Sequence, residues 1–236
     1  MLVHGIAENR TAWGPVVGLL AEWFDVLNVD LRGHGASPHG DSYDPISLAG
    51  DLVDTWGAAG MEAPLLVGHS LGGVVVTAAA VVGSPRAVVN VDQPLRLADF
   101  KAALSQLEPM LRGSTEEFSA AIDMIFDVMH GPLPADEVDR VRSLRRAEQE
   151  VVMAIWGTVF DSTPEELDAT VGALAGAVTV PYLSLHGIDP GPEYPEWLCS
   201  LVPTAVVEEW PEHGHYPHLI DPDRFVARIR AFDAGQ

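Results

Sequence analysis

The fold is decided by residues 64–82, which read PLLVGHSLGGVVVTAAAVV. A β-rich apolar run precedes Ser70, and an apolar helical pattern follows it. A serine at such a sharp strand-to-helix turn is held in a strained conformation that exposes its hydroxyl at the sheet edge. Gly68 and Gly72 leave room where the backbones crowd at this turn. The backbone N–H of Leu71, at the helix start, points toward the place where negative charge would develop. The stretch therefore predicts a nucleophile elbow.

The composition is that of an acidic globular chain of 236 residues with 47% apolar residues. It has 13 Lys and Arg against 34 Asp and Glu, which gives a net charge of −21. Such a charge repels nucleic acid and anionic membranes, so we expect neither as a partner. The single cysteine excludes an intramolecular disulfide, and the sequence carries no recognisable signal peptide and no apolar run long enough to span a bilayer. We expect a cytoplasmic protein.

Short apolar runs alternate with helical patterns along most of the chain. This alternation predicts an α/β fold with a mostly parallel, doubly wound sheet of about six strands. The strands are expected at Leu2–His4, Phe24–Asp30, Pro64–His69, Ala87–Asp92, Val180–His186 and Ala205–Trp210.

Residues 93–179 break this rhythm, because they are almost entirely helical in pattern and contain four of the six methionines. We expect residues 1–92 and 180–236 to form the core and residues 93–179 to form a helical lid inserted in it. Flexible thioethers and aromatic rings suit an adaptable apolar site. Phe126, Met153 and Trp156 are the candidate substrate-binding residues. A helix that simply belongs to the core is the alternative.

Several motifs together resemble the α/β-hydrolase family. Besides the elbow they are LVHG at residues 2–5, DLRGHGAS at residues 30–37, and Gly214-His215 near the end of the chain. The resemblance implies a serine hydrolase fold whose second oxyanion N–H comes from Ile6, the residue after the HG pair. The two strands that usually precede the HG strand are absent, which fits either a truncated start or a short-start member similar to the methylesterase and hydroxynitrile-lyase branch.

A serine nucleophile needs a neighbouring base, and three histidines occur in residues 213–218. The family places the base in a Gly-His pair before an apolar helix start, which matches His215. A metal site at these histidines is not expected, because no carboxylate or thiol motif completes it. We expect no cofactor.

Two aspartates compete for the role of the acid that orients the base. Asp189 follows a strand in a turn that resembles the family's usual acid turn, and it gives the chain order serine, acid, histidine expected for this fold. Asp92 ends the strand after the elbow helix, where a minority of the family keeps the acid. The sequence favours Asp189 and leaves Asp92 as the alternative.

The resulting expectation is hydrolysis of a carboxylic ester, or of a related lactone, carbamate or amide, of a small apolar substrate through an acyl-enzyme. Relatives that open epoxides use aspartate at the elbow, so the serine disfavours that chemistry. A receptor-like member with little turnover and a cofactor-free perhydrolase remain alternatives, because both keep the same residues.

Overall fold

A computed structural model describes residues 1–235 of the chain. Within that range, the sheet has six parallel strands in the order β2-β1-β3-β4-β5-β6. The prediction of a doubly wound parallel sheet is confirmed. The strands are β1 (Leu2–Val3), β2 (Asn28–Val29), β3 (Leu65–His69), β4 (Ala87–Val91), β5 (Tyr182–His186) and β6 (Ala205–Glu209).

Helices connect these strands and cover both faces of the sheet. A 3-10 helix at Arg10–Trp13 leads into the first α-helix. The helices outside the insertion are α1 (Gly14–Ala21), α2 (Pro45–Ala58), α3 (Leu71–Val82), α10 (Tyr194–Leu201), α11 (Pro217–Ile220) and α12 (Pro222–Ala234). Those of the insertion, between β4 and β5, are α4 (Leu97–Leu104), α5 (Glu108–Leu111), α6 (Thr115–Met129), α7 (Ala135–Leu144), α8 (Gln149–Asp161) and α9 (Pro164–Gly176).

Local sequence signals set where the insertion helices begin. Ser114 accepts a hydrogen bond from the backbone N–H of Glu117, whose carboxylate accepts one from the N–H of Ser114, and this capping box starts α6. Thr163 and Glu166 start α9 in the same way. Such reciprocal bonds satisfy N–H groups that a helix start otherwise leaves without a partner.

The core is divided by the sheet, because alternate strand residues face opposite sides. Leu2 and Val67 belong to the cluster with α1 and α12, whereas Val3 and Leu66 belong to the cluster on the other face. The second cluster also contains buried residues of α6 and α8, so the insertion packs continuously with the core. None of the helices in residues 1–235 is both long and apolar enough to cross a membrane.

Candidate active site

Ser70 lies at the turn between β3 and α3 in a strained backbone conformation, with φ 52° and ψ −124°. Its N–H donates to the carbonyl of Val91 at 3.0 Å, which ties the turn to the end of β4. A Cβ on Gly68 would lie 2.1 Å from the carbonyl oxygen of Gly72, and one on Gly72 would lie 2.3 Å from that of Val3. Both positions therefore require glycine, as the elbow predicts.

The loop after β1 packs directly against this serine. A Cβ on Gly5 would lie 3.2 Å from the Cβ of Ser70. The imidazole of His4 ties this loop to the segment after β2. Its Nδ1 donates to the carbonyl of Gly5 at 2.7 Å, and its Nε2 accepts from the N–H of Leu31 at 3.0 Å. Burial lowers the pKa of His4 to about 4, which keeps this imidazole neutral.

The two residues predicted to donate to the oxyanion, Ile6 and Leu71, both line the cavity that reaches Ser70. Leu71 is the first residue of α3, so its N–H has no partner within the helix. The two residues are therefore placed as the prediction requires, and their role as donors stays a prediction.

The acid beside His215 is Asp92, so the preference for Asp189 was wrong. Nδ1 of His215 lies 2.7 Å from Oδ2 of Asp92, and both side chains are almost fully buried. Asp189 is exposed and accepts instead from the N–H of Gly191 at 2.7 Å, closing its own turn. The physical reason is that this short turn uses the carboxylate locally, whereas β4 ends directly beside the elbow.

The backbone of the next strand holds the Asp92 carboxylate in place. Its Oδ1 accepts from the N–H groups of Gly187 at 2.7 Å and Ile188 at 3.0 Å. Burial alone would raise the pKa of Asp92, but the hydrogen bond and charge of His215 and the N–H of Ile188 lower it below its ordinary value. Asp92 is also held at a positive φ of 52°. An ionised carboxylate here accepts a hydrogen bond from Nδ1–H, which keeps the proton on Nδ1 and leaves Nε2 of His215 as the proton acceptor.

The loop that carries His215 is pressed against the neighbouring loops. A Cβ on Gly187 would lie 2.0 Å from the carbonyl oxygen of Gly214, so the two loops touch through their backbones. His218 is buried beneath the loop, and His213 is partly exposed with Nδ1 3.1 Å from the carbonyl of Pro211. His215 is therefore the histidine of this segment that meets a carboxylate, as predicted for the base.

A mostly apolar cavity of about 260 Å³ opens at Ser70 between the sheet and the insertion. Phe126 and Trp156 line it, as predicted, and Trp156 packs edge-on against Phe100 with ring centroids 5.5 Å apart. Met153 does not line it, because α8 presents Ile155, Trp156 and Val159 there. The remaining lining comes from α2, α3, α4, α6 and α9 and from residues next to them.

Some of these residues could not be identified from local motifs. Tyr43, which lies just before α2, and Leu48, in its first turn, line the cavity although nothing in their local sequence points to a site. Met129, and not Met153, lines the cavity, and the i, i+3 spacing from Phe126 on α6 is the signal that could have found it. A larger cleft of about 560 Å³ lies around Met1 and Leu65, at the amino-terminal ends of β1 and β3. It does not include Ser70.

Comparisons with known proteins agree with this architecture. A model described as the alpha/beta hydrolase family matches residues 1–228. The chain belongs to the alpha/beta hydrolase family.

Among its relatives is a pimeloyl-[acyl-carrier protein] methyl ester esterase of Aliivibrio salmonicida, 24% identical over 98% of this chain and 90% of that protein. An uncharacterized protein of Mycobacterium tuberculosis is 42% identical over 75 residues, which span 31% of this chain and only 22% of that protein. A thermophilic esterase of Thermogutta terrifontis has the same fold, with a TM-score of 0.75, 24% identity and coverage of 99% of this chain and 88% of the other.

Proposed function

We propose that the chain is a serine hydrolase that works through an acyl-enzyme. Its substrates are carboxylic esters whose acyl group is small, apolar and uncharged. The observation that carries the proposal is the buried hydrogen bond between Asp92 and His215, next to an elbow serine that opens on an apolar cavity. Relatives whose names describe esterases support ester hydrolysis in general.

The chemistry follows from the protonation that Asp92 imposes. Nε2 of His215 takes the proton of Ser70 as Oγ attacks the ester carbonyl, a general-base contribution of about 10²–10⁴-fold. The N–H groups of Ile6 and Leu71 receive the charge on the carbonyl oxygen, and each such donor is worth about 10²–10³-fold. The imidazolium returns the proton to the leaving alcohol. A water molecule then repeats the sequence on the acyl-enzyme and releases the acid.

The cavity favours a short apolar acyl group. Its volume of about 260 Å³ is smaller than the roughly 300–1,000 Å³ of pockets that hold drug-sized ligands. Its charged lining residue within the described chain is Asp44, whose oxygens already accept from Ser47 and from the start of α2. No arginine or lysine of residues 1–235 lines it, so an acyl chain ending in a carboxylate would be buried without a cation.

The chain's only lysine, Lys101, does not line the cavity. Nζ of Lys101 donates to the carbonyls of Phe160 at 2.7 Å and Ser162 at 2.6 Å, at the end of α8.

The substrate we propose is a free small molecule, and the net charge of −21 argues against nucleic acid or an anionic membrane as a partner.

A panel of nitrophenyl esters from acetate to decanoate tests the proposal, with the alcohol part varied in a second series. Each methylene that enters the cavity contributes about 0.8 kcal/mol, so kcat/KM should rise about fourfold per carbon until the cavity is full, and then fall. A matched substrate whose acyl chain ends in a carboxylate should be at least about 100-fold poorer.

Two results would contradict this proposal. One is equal turnover of the neutral and carboxylate-ended substrates, which would refute the apolar site. The other is tight ligand binding with no turnover that depends on Ser70, which would favour the receptor-like alternative. Ser70→Ala is the control for both.

A further inference from the structure

A second buried carboxylate lies beside the site, outside the set of groups that perform the proposed chemistry. Glu8, in the loop after β1, is only 3% exposed. Its Oε2 accepts from the N–H of Gly5 at 3.1 Å and lies 3.6 Å from Nδ1 of His69, which is equally buried. A buried carboxylate is costly unless a cation compensates it, so its partner requires an explanation.

The hydrogen bonds of His69 define where its protons lie. Nε2 of His69 is 2.8 Å from the carbonyl oxygen of His215, and a carbonyl can only accept, so Nε2 carries a proton. Nδ1 faces the Glu8 carboxylate. A lone pair on Nδ1 would repel that carboxylate at low dielectric, whereas a second proton makes the contact an ion pair.

The electrostatic surroundings agree with this assignment. Burial alone would raise the pKa of Glu8, but its contact with His69 outweighs burial and holds that pKa well below its usual range. The ring of His218 lies 4.7 Å from that of His69. Burial, and then the charge of His69, lower the pKa of His218 well below its ordinary value, so the His218 ring is neutral.

We propose that Glu8 and His69 form a buried carboxylate–imidazolium pair that positions the catalytic groups. Glu8 holds the oxyanion loop through the N–H of Gly5, and His69 holds the backbone of His215 through its carbonyl. His69 immediately precedes Ser70. The pair therefore links three segments: the loop after β1 that contains Gly5 and Ile6, the elbow, and the loop that carries His215. Both are positioning residues, and this inference rests on the proposed function of Ser70.

The expected effect follows from the sensitivity of such sites to displacement. A shift of about 1 Å in a reacting group can cost about 100-fold in rate. Glu8→Gln keeps an acceptor for the N–H of Gly5 and removes the charge, so kcat should fall about 10- to 100-fold. Glu8 does not line the acyl cavity, so KM should change by less than about threefold.

The experiment measures kcat, KM, melting temperature and the rate at which a fluorophosphonate labels Ser70, for Glu8→Gln and His69→Gln. Ile229→Ala is the control. Ile229 is buried and lines the cleft at the amino-terminal ends of β1 and β3, away from Ser70. The control should melt at a lower temperature with unchanged kcat and labelling. A Glu8→Gln enzyme that keeps kcat within about threefold of wild type would overturn the inference.

A spectroscopic measurement on the wild type covers the case in which the variants do not fold. NMR of the protein labelled with ¹⁵N-histidine at neutral pH should show both ring nitrogens of His69 protonated, and a neutral His69 would overturn the pair. Turnover that survives in Ser70→Ala would instead refute the proposed function and leave the NMR result to decide on the pair.

Discussion

Replacing Asp92 by Asn should disable the site through the wrong tautomer of His215. In the wild type, one carboxylate oxygen receives two backbone N–H groups and the other receives Nδ1–H. Asn has a single oxygen. If that oxygen keeps the two N–H groups, its NH₂ faces Nδ1 and places the imidazole proton on Nε2, which can then no longer accept from Ser70. If the amide flips, the N–H groups of Gly187 and Ile188 lose their acceptor.

We expect kcat to fall about 10⁴-fold, which is the cost of the same substitution in serine proteases. This corresponds to about 5 kcal/mol of transition-state stabilisation. The folded state loses one charge-assisted hydrogen bond, worth about 1.5–3 kcal/mol, so the protein should still fold at low temperature. The assay is kcat on a short-chain ester together with the melting temperature.

Asp189→Asn is the matched control and should stay near wild type, since Asp189 is exposed and Asn can close the same turn. A kcat for Asp92→Asn within about tenfold of wild type, or the large loss in Asp189→Asn instead, would show that Asp92 does not orient His215.

Two further predictions concern the cavity and the buried histidines. Trp156→Ala should enlarge the acyl cavity and move the preferred ester to a longer chain, by about 1–3 kcal/mol between competing substrates; a uniform loss across the ester panel would instead indicate a core role for α8. Burial lowers the pKa of His4 and of His186 to about 4 from 6.5, so these side chains stay neutral in the folded chain while the unfolded chain takes up protons below about pH 6.5. The free energy of unfolding should therefore fall as pH is lowered from 6.5 to 4, and His186→Gln should flatten that slope in melting curves; an unchanged slope would contradict the assignment.

The sheet could be predicted because buried parallel strands leave an unambiguous pattern. Continuous apolar runs such as LLV at residues 65–67 can be covered on both sides only in the middle of a layered fold. The glycines of the elbow are equally informative, since the clashes at Gly68 and Gly72 involve backbone atoms that no side-chain adjustment can remove. These signals are local, and so they can be read from a single sequence.

The acid and the cavity lining depend on contacts between distant segments, and here local patterns were insufficient. Asp92 and Asp189 both follow strands that end at the same edge of the sheet. What separates them is that Oδ1 of Asp92 receives N–H groups from the loop after β5, an arrangement that no spacing in the sequence encodes. Residue type alone points to Met153, but the face that α8 turns toward the cavity is set by its packing and carries Ile155, Trp156 and Val159. No local motif marks Glu8 either, because its partner His69 is distant in sequence.

In the proposed mechanism, Ser70 carries the acyl group during turnover. Rapid acid quenching of the reaction with a slowly hydrolysed nitrophenyl ester, followed by peptide mass spectrometry, measures this directly. The acyl mass should appear on the peptide that contains Ser70, at a level that rises to a steady state with the burst of nitrophenol, and it should be absent in Ser70→Ala. Turnover without an acyl adduct on Ser70, or with the adduct on another residue, would contradict this mechanism.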